Sequence, residues 1–112
     1  MGSYYELRVS SNAEQKRSIE ALLGKSDLVS SLDWWGIYIE EDSPKYAEAL
    51  PHFLSIIELH LNQLLQIGIS SDMISIWYMY EYVHQCNMEF GPDITRKLGN
   101  LGIRLCITCW EK

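Results

Sequence analysis

Polar and apolar residues alternate from Tyr4 to Ser10. Tyr5, Leu7 and Val9 fall on one side, and Tyr4, Glu6 and Arg8 on the other, as in a half-buried strand. Ser11 with Glu14, or Asn12 with Gln15, then has the spacing of a helix capping box. Ile19, Leu22 and Leu23 make the apolar face of that helix, and Gly24 suits its stop. Residues 25–33 read as a loop. Alternation returns from Trp34 to Glu40, with Trp35, Ile37 and Ile39 on one face and Trp34, Gly36 and Tyr38 on the other. Glu40, Glu41 and Asp42 close this strand with an acidic turn.

Ser43 and Pro44 have the character of a cap and a first helical residue. Pro51 is expected to kink or split the helix they begin. Phe53, Ile56, Ile57, His60, Leu61, Leu64 and Ile67 then keep helical spacing up to Gly68. The pattern predicts a strand over Met73 to Tyr82, with Ile74, Ile76, Tyr78 and Tyr80 opposite Met73, Ser75, Trp77 and Met79. A short strand near Cys86 to Phe90 follows, then a helix over Ile94 to Leu101 opened by Gly91-Pro92-Asp93. A last strand over Ile103 to Trp110 sets Ile103, Leu105, Ile107 and Cys109 against Arg104, Cys106, Thr108 and Trp110. The order β-α-β-α-β-β-α-β predicts one α+β domain over residues 1–112. Its expected form is a mainly antiparallel sheet of four to five strands with helices packed on one face.

The aromatic residues sharpen this picture. Trp34 and Tyr38 alternate with Trp35, and Trp77 alternates with Tyr78 and Tyr80, so one core cannot take all the rings. A sheet covered on one side would show Trp and Tyr on the other, in the company of acids. Such a mixture resembles the composition of interface hot spots. A sheet covered on both faces, or a homodimer hiding the second face, would bury the same rings.

Charge points the same way. Nine basic and 15 acidic residues give a net charge of −6, which repels a phosphate backbone on average. The main basic candidates, Lys16, Arg17, Arg96, Lys97 and Arg104, are scattered, so no nucleic-acid contact is expected. A basic protein is the natural complement, although the same charge also serves solubility. The odd number of cysteines, Cys86, Cys106 and Cys109, closes no disulfide framework and points to a reducing, cytoplasmic setting. The start of the chain lacks the apolar core of a signal peptide. The most apolar stretch, Leu50 to Ile69, is interrupted by Glu58, His60, Asn62, Gln63 and Gln66, which reads as an amphipathic helix and not a membrane span.

No constellation points to catalysis. Cys106 and Cys109 have the spacing of a redox or zinc pair, but on a strand residues three apart face opposite ways. Core or near-core packing is the expected role of these cysteines. His52 and His60 lie about 80° out of line on a helix and cannot chelate one ion unaided. His84-Gln85-Cys86 is a metal-like fragment with nothing converging on it in sequence. No serine stands in a nucleophile elbow and no glycine cluster cradles phosphate. The expectation is therefore no enzyme, no metal and no cofactor.

From Ile74 to Trp110, including the run MEFGPDITRKLGNLGIRLCITCW, the chain resembles a family of small bacterial α+β domains. The opening YYELRVSS strand and the IEALLG helix end are similar too. Small acidic proteins of this kind look like the immunity partners of contact-dependent growth-inhibition and related toxin systems. The resemblance implies a cytoplasmic inhibitor that binds a cognate toxin domain, frequently a basic nuclease, and occludes its active site. The contact residues expected on that reading are Trp34, Tyr38, Glu40, Glu41 and Asp42, with Trp77 and Glu81 behind them. The alternative is a small-molecule-binding or regulatory domain, homodimeric in one form, with a pocket between helix and sheet.

Overall fold

The alternating stretches become the strands of one sheet in the computed structural model, which describes residues 2–112. The elements run β1 (Tyr4–Ser10), α1 (Ala13–Leu23), β2 (Trp34–Glu40), α2 (Ala49–Ile67), β3 (Ile74–Tyr82), α3 (Pro92–Leu101) and β4 (Arg104–Glu111). Short 3-10 turns precede α2 (Tyr46–Glu48) and β3 (Ser71–Met73). The sheet is open, in the order β2-β1-β3-β4. β1 lies antiparallel between β2 and β3, while β3 and β4 are parallel. All three helices pack on one side, so the class is α+β.

One expectation about the sheet is corrected. Residues 86–90 form no strand; between β3 and α3 the described residues carry an isolated bridge between Val83 and Gln85. The sheet has four strands and is mainly antiparallel as expected, with one parallel pairing, β3 with β4. The reason is geometric: with no strand between β3 and α3, the helix itself carries the chain back along the sheet. β4 then starts beside the start of β3 and must run parallel to it.

Local chemistry explains most boundaries. Asn12, not Ser11, caps α1: its side chain accepts from the Gln15 N–H at 2.7 Å, and the Gln15 side chain accepts from the Asn12 N–H at 3.0 Å. Ser43 and Pro44 do not begin α2, which starts at Ala49 after the 3-10 turn. Nor does Pro51 kink it. Pro51 sits in the first turn of α2, where its missing N–H would have no partner in any case. Gly68 and Gly102 end α2 and α3 in the left-handed conformation, with φ of 98° and 69°.

Leu50, Phe53, Leu54, Ile57 and Leu64 of α2 meet Leu7, Val9, Trp35, Ile39, Ile74 and Ile76 of the sheet to form the core. Each such side chain contributes roughly 1.5–3 kcal/mol on burial. α1 adds Ile19, and α3 adds Leu98.

The two edges of the sheet differ. Along β2, the loop before the strand satisfies the middle of the outward backbone row. Ser26 Oγ bonds the Gly36 N–H and C=O, the Asp27 N–H donates to Gly36 O at 2.7 Å, and Asp27 Oδ2 accepts from the Tyr38 N–H. Lys16, buried, holds this loop through the carbonyls of Leu28 and Ser31. Along β4 the Lys112 N–H donates inward to Tyr82 O, so by alternation Leu105, Ile107 and Cys109 point their N–H and C=O outward. Among the described residues these groups have no hydrogen-bond partner.

Candidate protein-binding face

The side of the sheet away from the helices is built in rows, because paired residues on adjacent strands share a face. One row runs Glu40, Tyr4, Met79, Thr108; the next Tyr38, Glu6, Trp77, Cys106; the third Gly36, Arg8, Ser75, Arg104. Trp34 lies at one end of this face. Glu81 and Trp110, paired in register, lie at the other. The split of the aromatic rings follows the alternation: Trp35 is fully buried on the core side, while Trp34 is 36% and Tyr38 39% exposed. Trp77 is half-buried, its indole N–H donating to Ser75 Oγ at 2.9 Å.

At the centre sits an ion pair that the sequence reading passed over. The Arg8 guanidinium donates to both carboxylate oxygens of Glu6, at 2.9 and 3.1 Å. It also lies 4.5 Å from the centre of the Trp77 ring and 5.5 Å from that of Trp34. The hydrogen bond to Glu6 raises the Arg8 pKa against the opposing effect of desolvation. Glu6 is only 2% exposed. The pair is neutral as a unit and braces the two indoles, so it makes a rigid floor.

The negative charge is displaced to one corner. A cleft of about 550 Å³ opens there, lined by Gly2, Ser3, Tyr4, Tyr38, Glu40, Glu41 and Asp42. The Glu41 N–H donates to Ser3 O, and the Ser43 N–H to Glu40 O, which fixes the acidic turn beside the start of β1. Tyr4 and Tyr38 meet edge to face, ring centres 5.8 Å apart. Desolvation raises the Tyr38 pKa, with Glu6 and Tyr4 adding to it. An extended cation fits this chemistry: carboxylates for its charge and two aromatic rings for its stem.

The structure thus brings four of the expected residues, Tyr38, Glu40, Glu41 and Asp42, around one cleft, with Trp77 in the Tyr38 row, two strands over. Trp34 stands apart, beyond the Gly36–Arg8 row. Glu81 is at the cleft end, but its carboxylate accepts from the Trp110 indole at 3.1 Å and its N–H donates to Ser3 Oγ. Trp110, Tyr4, Glu6 and Arg8 were not singled out from sequence. Their shared alternation phase placed them on this face, but pairing order was needed to gather them.

Gly36 lets a loop cover part of the face. A Cβ there would stand 2.7 Å from Leu28 Cδ1 and 3.1 Å from Leu7 O, so a larger residue would push the Leu28 side chain aside and crowd the β1 backbone.

The remaining candidates disperse. Arg96 pairs with Asp93 and Lys97 lies 3.9 Å from Glu58. His60 Nδ1 is engaged with the Ile56 carbonyl. Among the described residues no three His, Cys, Asp or Glu side chains group to hold a metal ion, and no helix is long and apolar enough to cross a membrane. Cys106 and Cys109 do diverge, but the core or near-core packing expected of this pair is corrected: Cys109 is exposed and Cys106 is half-buried, on the open face; Cys86 is exposed as well. β4 is the outer strand, and its far half extends beyond the helices, leaving Ile107 42% exposed. In comparisons with known proteins, no family model, no curated protein and no solved structure matches this chain.

Proposed function

We propose that the chain is a non-enzymatic, cytoplasmic binding protein that covers a basic surface of another protein with its open sheet face. The observation that carries this reading is the combination on that face of a braced aromatic floor and an acidic, tyrosine-lined cleft. A partner's Lys or Arg enters the cleft against Glu40, Glu41 and Asp42, while apolar groups lie over Trp77, Met79 and Tyr38. Aromatic area contributes most of the affinity; the carboxylates contribute encounter rate and register. The partner class implied by the sequence resemblance is a toxin domain, neutralised by occlusion of its active site. The small-molecule alternative called for a pocket between helix and sheet; the 550 Å³ cleft lies on the opposite side, at the acidic turn.

The test is capture of partners from the source cell by the native protein, beside the Glu40→Lys/Glu41→Lys variant and a Glu14→Lys/Glu89→Lys control of equal charge. The expected result is a basic protein held by wild type and control, released by salt, and weakened roughly 10- to 100-fold by reversal at the cleft. Expressed alone, that partner should arrest growth, and co-expression of this chain should restore it. A partner bound equally by both double variants would remove the cleft from the reading. A partner harmless on its own would remove the toxin.

A further inference from the structure

Cys86 and Cys109 are 23 positions apart in sequence, yet their sulfurs stand 3.9 Å apart and both residues are exposed. Two features bring them together. On β4, Cys109 pairs in register with Tyr80 and lies on the helix side of the sheet, beyond the reach of the helices. After β3 the chain reverses within three residues: the Gln85 N–H donates to Val83 O at 2.8 Å, and His84 takes a φ of 70°. A three-residue turn with its central φ positive is a rare and strained form, costly for a residue with a Cβ. That reversal directs Cys86 back across the end of the sheet and over Cys109, instead of away into solvent. Cys106, on the opposite face of β4, is excluded by the alternation of the strand.

We propose that Cys86 and Cys109 form a dithiol site that low-molecular-weight disulfides such as glutathione disulfide oxidise to an intramolecular disulfide. One protein thiolate attacks a sulfur of glutathione disulfide, forms a mixed disulfide and releases one glutathione thiolate, which takes up a proton. The second protein thiolate attacks the protein sulfur of that mixed disulfide and releases the second glutathione. The protein loses two protons and two electrons, and one glutathione disulfide becomes two glutathione thiols. The bond ties the loop of residues 83–91 to the exposed outer strand. It leaves the open face untouched, so it is independent of the binding reading. Desolvation and the contact with Cys109 raise the Cys86 thiol, so the reaction quickens as pH rises through the thiol range.

The experiment treats the native protein with glutathione disulfide, blocks residual thiols by alkylation, and reads intact mass and a peptide digest. The expected product has lost about 2 Da, contains a linked Cys86–Cys109 peptide, and carries one alkyl group on Cys106. Cys109→Ser should accumulate the glutathione adduct on Cys86, and Cys106→Ser should leave closure unchanged. Closure in the folded protein should exceed that in urea by at least about tenfold, because the fold and not the chain brings the sulfurs together. Closed protein should also melt several degrees higher. Persistent glutathione adducts on both cysteines, a disulfide that recruits Cys106, disulfide-linked dimers, or equal closure in urea would each overturn the proposal.

Discussion

Replacing Glu6 by Gln keeps the shape of the side chain and removes its charge, which makes it a clean probe of the open face. Glu6 lies in the central strand, is 2% exposed, and accepts two hydrogen bonds from Arg8. A hydrogen bond to a charged group contributes about 1.5–3 kcal/mol, and the second bond of a bidentate pair adds less than the first. Arg8 is 29% accessible at the side chain, so water recovers part of the loss. The balance is a destabilisation of about 2–3 kcal/mol for Glu6→Gln. Arg8→Met, which also loses the contacts with Trp34 and Trp77, should cost a similar amount. The double variant should cost clearly less than the sum, with a coupling of about 1–2 kcal/mol. Urea unfolding followed by tryptophan fluorescence measures all four proteins. A loss below about 0.5 kcal/mol for Glu6→Gln, or strict additivity in the cycle, would refute the braced floor.

Ser26→Ala leaves the Gly36 N–H in the β2 edge without its partner. It should cost about 1–3 kcal/mol and raise hydrogen exchange at Gly36 and Tyr38 above that of β1. Leu54→Ala, at a fully buried α2 position, should cost about 2–5 kcal/mol in the same unfolding assay. His84→Gly relieves a positive φ and should be neutral or stabilising by up to about 1 kcal/mol, the opposite of most glycine substitutions. Burial and the hydrogen bond with Tyr46 raise the Tyr78 pKa far above the ordinary value of 10.0, and burial raises Tyr5 and Tyr38 as well. These tyrosines ionise in the unfolded chain before they ionise in the folded one. Their contribution is therefore intact below pH 10 and lost as pH rises above it, so urea midpoints should fall steeply beyond that point. Tyr46→Phe should soften the fall.

Much of the fold was legible because alternation and helical spacing are local. The phase of Trp34-Trp35, of Trp77-Tyr78 and of the Arg104–Trp110 strand could be read directly. The stretch over 86–90 alternates over too few residues to separate a strand from a loop, and the parallel β3–β4 pairing turns on that distinction. The acidic cleft was half legible, since Tyr38 to Asp42 are contiguous, but its other wall comes from Gly2 to Tyr4, which only pairing places opposite. The Glu6–Arg8 floor and the Cys86–Cys109 contact depend on strand order and on a reversal at His84. No spacing rule encodes either.

The unequal edges of the sheet limit how copies of this chain can add to one another. Continuing the sheet needs a free row of backbone groups on each participant, and β4 supplies the uncapped one, because Ser26 and Asp27 occupy the middle of the row on β2. An indefinite filament would require every copy to offer two such rows. Two copies meeting β4 to β4 about a two-fold axis use up both free rows and present the loop-covered β2 edges outward. The loop over β2 therefore works against growth of this sheet beyond a pair.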